Sequence, residues 1–348
     1  MKEYDKYLKL LKEKYPTKQS VYRELINLNA IMNLPKGTEH FMSDLHGEYD
    51  AFYHIINNCS GVIKEKVAML YGDELTVFEQ QELCTLIYYP REKLSKLMDE
   101  NKVNDEWYRN VLGQLIQIAK LLSSKYTRSK VRKAMPADFA YIIDELIHAQ
   151  KDEDDNRSVY HRQIMETILS LHNGDEFLIA LTDLIKRLAV DHLHILGDIY
   201  DRGPHADKIL DLLMEHHSVD IQWGNHDILW MGAFCGNPVC MALVVRNNIK
   251  YKTMSILENG YGISLRFLLQ FAVKTYSDKN VDDAVYKAIS VILFKLEGQL
   301  IKRHPEYRME GRLLLDKMNL DKGTVRIGDK DYFLNTCLLY TSPSPRDS

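Results

Sequence analysis

Cysteine is scarce in this 348-residue chain, with five scattered positions, Cys59, Cys84, Cys235, Cys240 and Cys337. An odd, dispersed set excludes a disulfide framework, and the absence of any CxxC pair argues against a structural zinc knuckle. Cys235 and Cys240 offer a redox pair as one reading, but small buried hydrophobes are the simpler one. No apolar run approaches the ~18 residues that a membrane span needs. The start, MKEYDKYLKLLKEKYP, reads as a charged amphipathic helix without the apolar centre of a signal peptide. Neither sign of charge dominates, since 45 Lys and Arg face 49 Asp and Glu for a formal net charge of −4. That balance argues against bulk electrostatic binding to nucleic acid or to an anionic membrane. These absences together predict a soluble cytoplasmic protein.

Hydrophobic residues make up 45% of the chain, ample for one large core or two modest ones. Three short apolar segments read as strands: GTEHFMS, VDHLHIL and SVDIQW, ahead of Asp44, Gly197 and Gly224. Most of the rest has helical spacing. In PHADKILDLLMEHH, Ile209, Leu212 and Leu213 share a face behind a proline suited to a first turn. Strand, polar turn and helix in repetition predict an α/β fold, whose ligands gather at the carboxyl ends of the strands. Between the first two strands, residues 61–184 read as an all-helical insertion. The basic cluster there (Lys125, Arg128, Lys130, Arg132, Lys133) and the acidic run KDEDDNR are read as solvated charge rather than as an RNA or cation site. Residues 1–60 and 185–336 are then the amino-terminal part of a catalytic domain. The tail CLLYTSPSPRDS abandons both periodicities, and Cys337 to Asp347 match consecutive codons of a sequencing-library adapter. Residues 337–348 are therefore read as an artefact, with the natural chain expected to continue beyond Asn335 or Thr336.

The three expected strands end in SDLHG, GDIYDRG and WGNHD. Their oxygen and imidazole donors suit divalent manganese, iron or zinc without a thiolate. Asp44 and His46 are one residue apart, a spacing that in extended backbone aims both to one side. Asp198 leaves its strand where one carboxylate can bridge two cations, and Asn225 offers a neutral carbonyl oxygen. Two cations ~3.5–4 Å apart would sharpen a bridging water for in-line attack at phosphorus. Arg202 can fork onto phosphate oxygens, and His226, oriented by Asp201, can protonate the leaving alkoxide. Taken singly, each cluster has a plain structural reading: a turn for GNHD, a salt bridge for Asp201 and Arg202. Taken together, each at a strand end, they predict a metal site. His192, His194, His216, His217 and His304 lack nearby ligand partners and read as surface or core residues.

The ordered motifs D-x-H, GDxxDR and GNHD resemble those of the calcineurin-like metallophosphoesterase superfamily. More narrowly, FMSDLHGEYDAF, LGDIYDRGP, GNHDILWMGA, ENGYGI and KLEGQLIKRHPE resemble the class III fructose-1,6-bisphosphatases of Firmicutes-type bacteria, as does the 154-residue interval between Asp44 and Asp198. The resemblance implies part of a calcineurin-like sandwich carrying a large helical insertion. It implies Asp44 and His46 on the first metal, Asp198 bridging, Asn225 on the second, an acid dyad of His226 and Asp201, and Arg202 on the substrate phosphate. It also implies two Mn2+ ions, cleavage of the 1-phosphate of fructose 1,6-bisphosphate, and a small-molecule sugar phosphate as partner, with a homo-oligomer left open. The superfamily's later histidines have no counterpart here, because His304 is the only histidine after His226. The chain is accordingly expected to be an amino-terminal piece holding about half the ligands, with little phosphatase activity alone. The alternatives are a protein or nucleotide phosphatase of the same superfamily, or a non-catalytic metal- and phosphate-binding relic.

Overall fold

The computed structural model describes residues 2–149, 155–276 and 280–334. The whole of the tail 337–348 and most of the KDEDDNR run lie outside these residues. Helix dominates, and the three expected strands form at Glu39–Met42 (β1), His192–Ile195 (β2) and Val219–Ile221 (β3), joined in the order β1-β2-β3. The Leu196 amide donates to the Met42 carbonyl and the Gln222 amide to the Ile195 carbonyl, each at 2.7 Å. The chain divides into two compact units, Met1–His40 with His54–Leu193, and Phe41–Tyr53 with His194–Ser348.

The first unit is helical. Its core centres on the helices Asp105–Ser123 and Gly174–Ala189, whose Leu112, Leu115, Ile118, Leu181 and Leu184 are fully buried. The second of these helices is buried over most of its surface and leaves only a narrow polar stripe, Glu176, Asp183 and Arg187, exposed. Local chemistry sets the helix ends. Thr76 and Glu79 form a reciprocal capping box, Asn104 caps the next long helix through the Trp107 amide, and Pro90 opens a new helix at its first turn. The basic cluster is mostly paired: Arg128 and Arg132 with Asp144, Lys130 with Asp191, and Lys125 with the Thr38 hydroxyl. These charges stitch helices to neighbouring loops, in line with the structural reading of the cluster.

In the second unit, the helices Pro238–Lys250 and Arg266–Thr275 pack on the long helix Val281–Arg303 through Val239, Ala242, Ala272, Ala284, Ala288 and Leu293. The helix Ala206–Glu215 buries Ile209 and Leu213 as expected, but it starts two residues after Pro204, with His205 at its cap. A small antiparallel sheet was not expected: Met318–Asn319 (β4), Thr324–Ile327 (β5) and Lys330–Phe333 (β6), ordered β4-β5-β6. The pair Ile327 and Lys330 closes a two-residue turn at Gly328–Asp329, with Gly328 at φ 60°. The strands of this sheet are short and charged, so their alternation is weak. Cys235 is exposed, contrary to the buried reading, and Cys240 is half-buried; a loop glycine follows Cys235 where the helix Asn225–Phe234 ends.

Candidate metal centre

All the candidate residues belong to the second unit, at the exits of β1, β2 and β3. Backbone contacts stitch the three exits together. The His46 amide donates to the Asp198 carbonyl at 2.9 Å, and the Gly203 amide returns to the His46 carbonyl at 2.6 Å. A Cβ on Gly203 would stand 2.2 Å from that His46 carbonyl oxygen, and one on Gly224 would stand 2.0 Å from Asp198 Oδ1. Only hydrogen at these two positions lets the loops approach so closely.

Asp44, His46 and Asp198 bring one ligand atom each to within 4.8 Å of one another. An ion bound at ~2.0–2.2 Å to nitrogen or oxygen needs its ligands at most about 4.4 Å apart, so a small side-chain adjustment completes the grip. The oxygen and imidazole donors suit a first-row divalent ion. Asp198 Oδ1 is buried without a hydrogen-bond partner among the described residues. A buried carboxylate oxygen left unpaired is costly, and a cation there would satisfy it. The donor set therefore fits a divalent metal.

The backbone at these candidate ligands departs from expectation. Asp44, His46 and Asp198 sit in the left-handed region at φ 55°, 48° and 54°, whereas spacing alone predicts extended backbone at Asp44 and His46. Non-glycine residues rarely adopt this conformation, and it costs on the order of 1–3 kcal/mol each. The hydrogen bonds between the loops hold the turns, and Leu45 between the two ligands is buried. Both side chains then reach one site by a sharp turn rather than by strand alternation.

Asp201 is the electrostatic hub, its side chain 6% exposed. His46 Nε2 lies 3.6 Å from Asp201 Oδ2, His226 Nε2 lies 3.4 Å from Oδ1, and Arg202 Nε lies 3.2 Å from Oδ2. The acid thus serves two histidines, one of them a metal candidate, where the sequence suggests only His226. Arg202 also lies over the ring of Tyr251, 5.7 Å from its centroid, and its side chain is largely exposed. Asn225 opens the helix Asn225–Phe234 directly after Gly224, the residue packed on Asp198.

Asp227 lies within the GNHD motif, yet its role is not legible there. Its Oδ1 accepts from the amides of Ile199 at 3.0 Å and Tyr200 at 3.1 Å, and its Oδ2 from the Gly224 amide at 2.9 Å. One buried carboxylate thereby ties the second loop to the third. The available signal is an acid at the third position of a helix, reaching back to the cap amide. Beside it, burial first, and then the hydroxyl of Tyr261, raise the Tyr200 phenol far above its ordinary pKa; burial also raises Tyr261. Both phenols are protonated at neutral pH.

Residues 6–344 match the family described as Firmicute fructose-1,6-bisphosphatase. The chain is 50% identical to a fructose-1,6-bisphosphatase class 3 of Clostridium beijerinckii over 96% of its own length and 55% of the relative's. It is 49% identical to the protein of that name from the Loch Maree strain of Clostridium botulinum, over 94% of this chain and 52% of the relative. The corresponding figures for the Clostridium tetani protein are 50%, 97% and 54%. The chain thus spans about half the length of the curated relatives it matches. No solved structure matches.

Proposed function

Because the chain belongs to the Firmicute fructose-1,6-bisphosphatase family, we propose that it serves metal-dependent hydrolysis of fructose 1,6-bisphosphate at the 1-phosphate, in the manganese-using, gluconeogenic setting that the motifs imply. The observation that carries this is the gathering of Asp44, His46 and Asp198, one donor atom of each within 4.8 Å of the others, beside a buried Asp198 oxygen that lacks a partner among the described residues. In this reading Asp44 and His46 would hold one divalent ion, Asn225 would hold a second, and Asp198 would serve both. When bound, the ions supply a nucleophilic hydroxide and neutralise phosphate charge. Arg202, tethered by Asp201 and shelved on Tyr251, presents its guanidinium to the phosphate oxygens. His226, held through Nε2 by Asp201 at 3.4 Å, donates a proton from its other ring nitrogen to the departing sugar oxygen. Left-handed backbone at three ligands supports the reading, since strain of this kind collects at functional sites.

The same proposal takes residues 1–60 and 185–336 as part of a calcineurin-like catalytic domain, with 61–184 as its helical insertion, working in the cytoplasm on a small sugar phosphate. Among the described residues, no helix is long and apolar enough to cross a membrane.

Two measurements test it. Paramagnetic resonance of free Mn2+ reports binding to the 348-residue chain, which Asp198→Asn should abolish. A chimera in which this chain replaces the matched half of the Clostridium beijerinckii relative should release phosphate from fructose 1,6-bisphosphate. Outer partners of metal ligands are worth roughly 10–100-fold, so Asp198→Asn in the chimera should cost more than about 100-fold. Preference for a phosphopeptide, or indifference to Asp198→Asn, would overturn the proposal.

A further inference from the structure

Tyr200 stands between Asp198 and Asp201, yet its side chain belongs to none of the donor groups described. Its ring stacks on Trp230, with centroids 4.3 Å apart and planes at 22°. Its hydroxyl lies 2.5 Å from that of Tyr261, the residue that ends the turn Ile256–Gly260. Tyr261 in turn tilts against Trp230, centroids 5.6 Å apart. The residue is therefore gripped twice: through its amide by Asp227, and through its side chain by two aromatic partners from separate segments. Tyr261 is 41% exposed, so burial of apolar area alone does not account for the trio. What it does fix is the rotation of the short loop between two carboxylates, one of which is held in left-handed backbone. Such a conformation persists only where its surroundings over-determine it.

We propose that Tyr200, Trp230 and Tyr261 form an aromatic brace that sets the orientation of Asp198 and Asp201 for cation binding. All three are positioning residues, and none is a ligand. The inference rests on the reading of Asp44, His46 and Asp198 as a cation site. It predicts a coupling between the ENGYG turn and the metal loop, two segments about sixty residues apart in sequence.

The test uses Tyr200→Phe, Tyr261→Phe and the double variant in the 348-residue chain. Each substitution removes the hydroxyl pair and keeps the rings. Two readouts are followed: Mn2+ affinity by paramagnetic resonance, and amide exchange at Ile199 and Tyr200 in the metal-free chain. Each single variant is expected to weaken Mn2+ binding by about 10-fold and to speed exchange at those two amides. The double variant should match either single, because both lose the same bond. Wild-type affinity in the Phe variants overturns the brace, as does a double variant whose loss is the product of the two singles. If the wild-type chain binds no Mn2+, the cation reading fails and the exchange data decide: faster exchange in the variants upholds the bracing of the loop, and unchanged exchange overturns it.

Discussion

Replacing Asp227 tests the architecture of the centre without touching a proposed ligand. Three amides share its carboxylate, those of Ile199, Tyr200 and Gly224, at 3.0, 3.1 and 2.9 Å. Hydrogen bonds to a charged group contribute about 1.5–3 kcal/mol each, but three that share one acceptor do not add in full. Ile199 is 2% exposed, so its amide would be stranded in Asp227→Ala, whereas the half-buried Tyr200 and Gly224 can recruit water. The expected loss for Asp227→Ala is about 3–5 kcal/mol. Asn keeps one oxygen for Ile199 and Tyr200 but turns its amide against the Gly224 N–H, so Asp227→Asn should lose about 2–3 kcal/mol. Urea unfolding followed by tryptophan emission measures this. A Trp107→Phe background confines the signal to Trp223 and Trp230, which both lie in the second unit. Asp227→Asn within about 0.5 kcal/mol of wild type, the scatter of ordinary surface substitutions, would refute the claim that this carboxylate joins the loops.

Two further perturbations follow from the same geometry. Gly224→Ala places a methyl 2.0 Å from Asp198 Oδ1 and 2.3 Å from its backbone nitrogen. Mn2+ binding should fall by more than about 100-fold, since the ligand itself must move; titration followed by paramagnetic resonance would contradict this if affinity held. In the helical unit, burial pushes the Cys59 thiol up to about 12, only partly offset by Lys186. A folded value above the unfolded one means that this contribution is intact below about pH 8.5 and drains as pH rises toward 12, at about 1.4 kcal/mol per pH unit. Cys59→Ala should flatten the alkaline arm of a stability profile by that slope, and an unchanged arm would show that Cys59 is not held neutral. Exposed Cys235 provides the contrast, reacting with a thiol reagent while the fold is intact.

The sequence is most informative where periodicity and residue chemistry agree. The three strands, the helix carrying Ile209 and Leu213, and the helical stretch between the first two strands are all legible, because apolar spacing forces burial on one face. The gathering of Asp44, His46, Asp198, Asp201 and His226 is legible too, since charged and imidazole side chains at the exits of buried strands have few structural uses. What escapes is whatever depends on a partner distant along the chain. The left-handed backbone at His46 is held by the carbonyl of Asp198 and the amide of Gly203. The three-way grip of Asp227, the second histidine on Asp201 and the Tyr200–Tyr261 bond likewise join residues tens to more than a hundred positions apart. The sheet β4-β5-β6 was hidden for a different reason: its alternation is diluted by charge, and the glycine turn is its strongest mark. A candidate donor set can thus be read from residue types, while the strain that aims it, and the contacts that hold that strain, arise only when the loops meet.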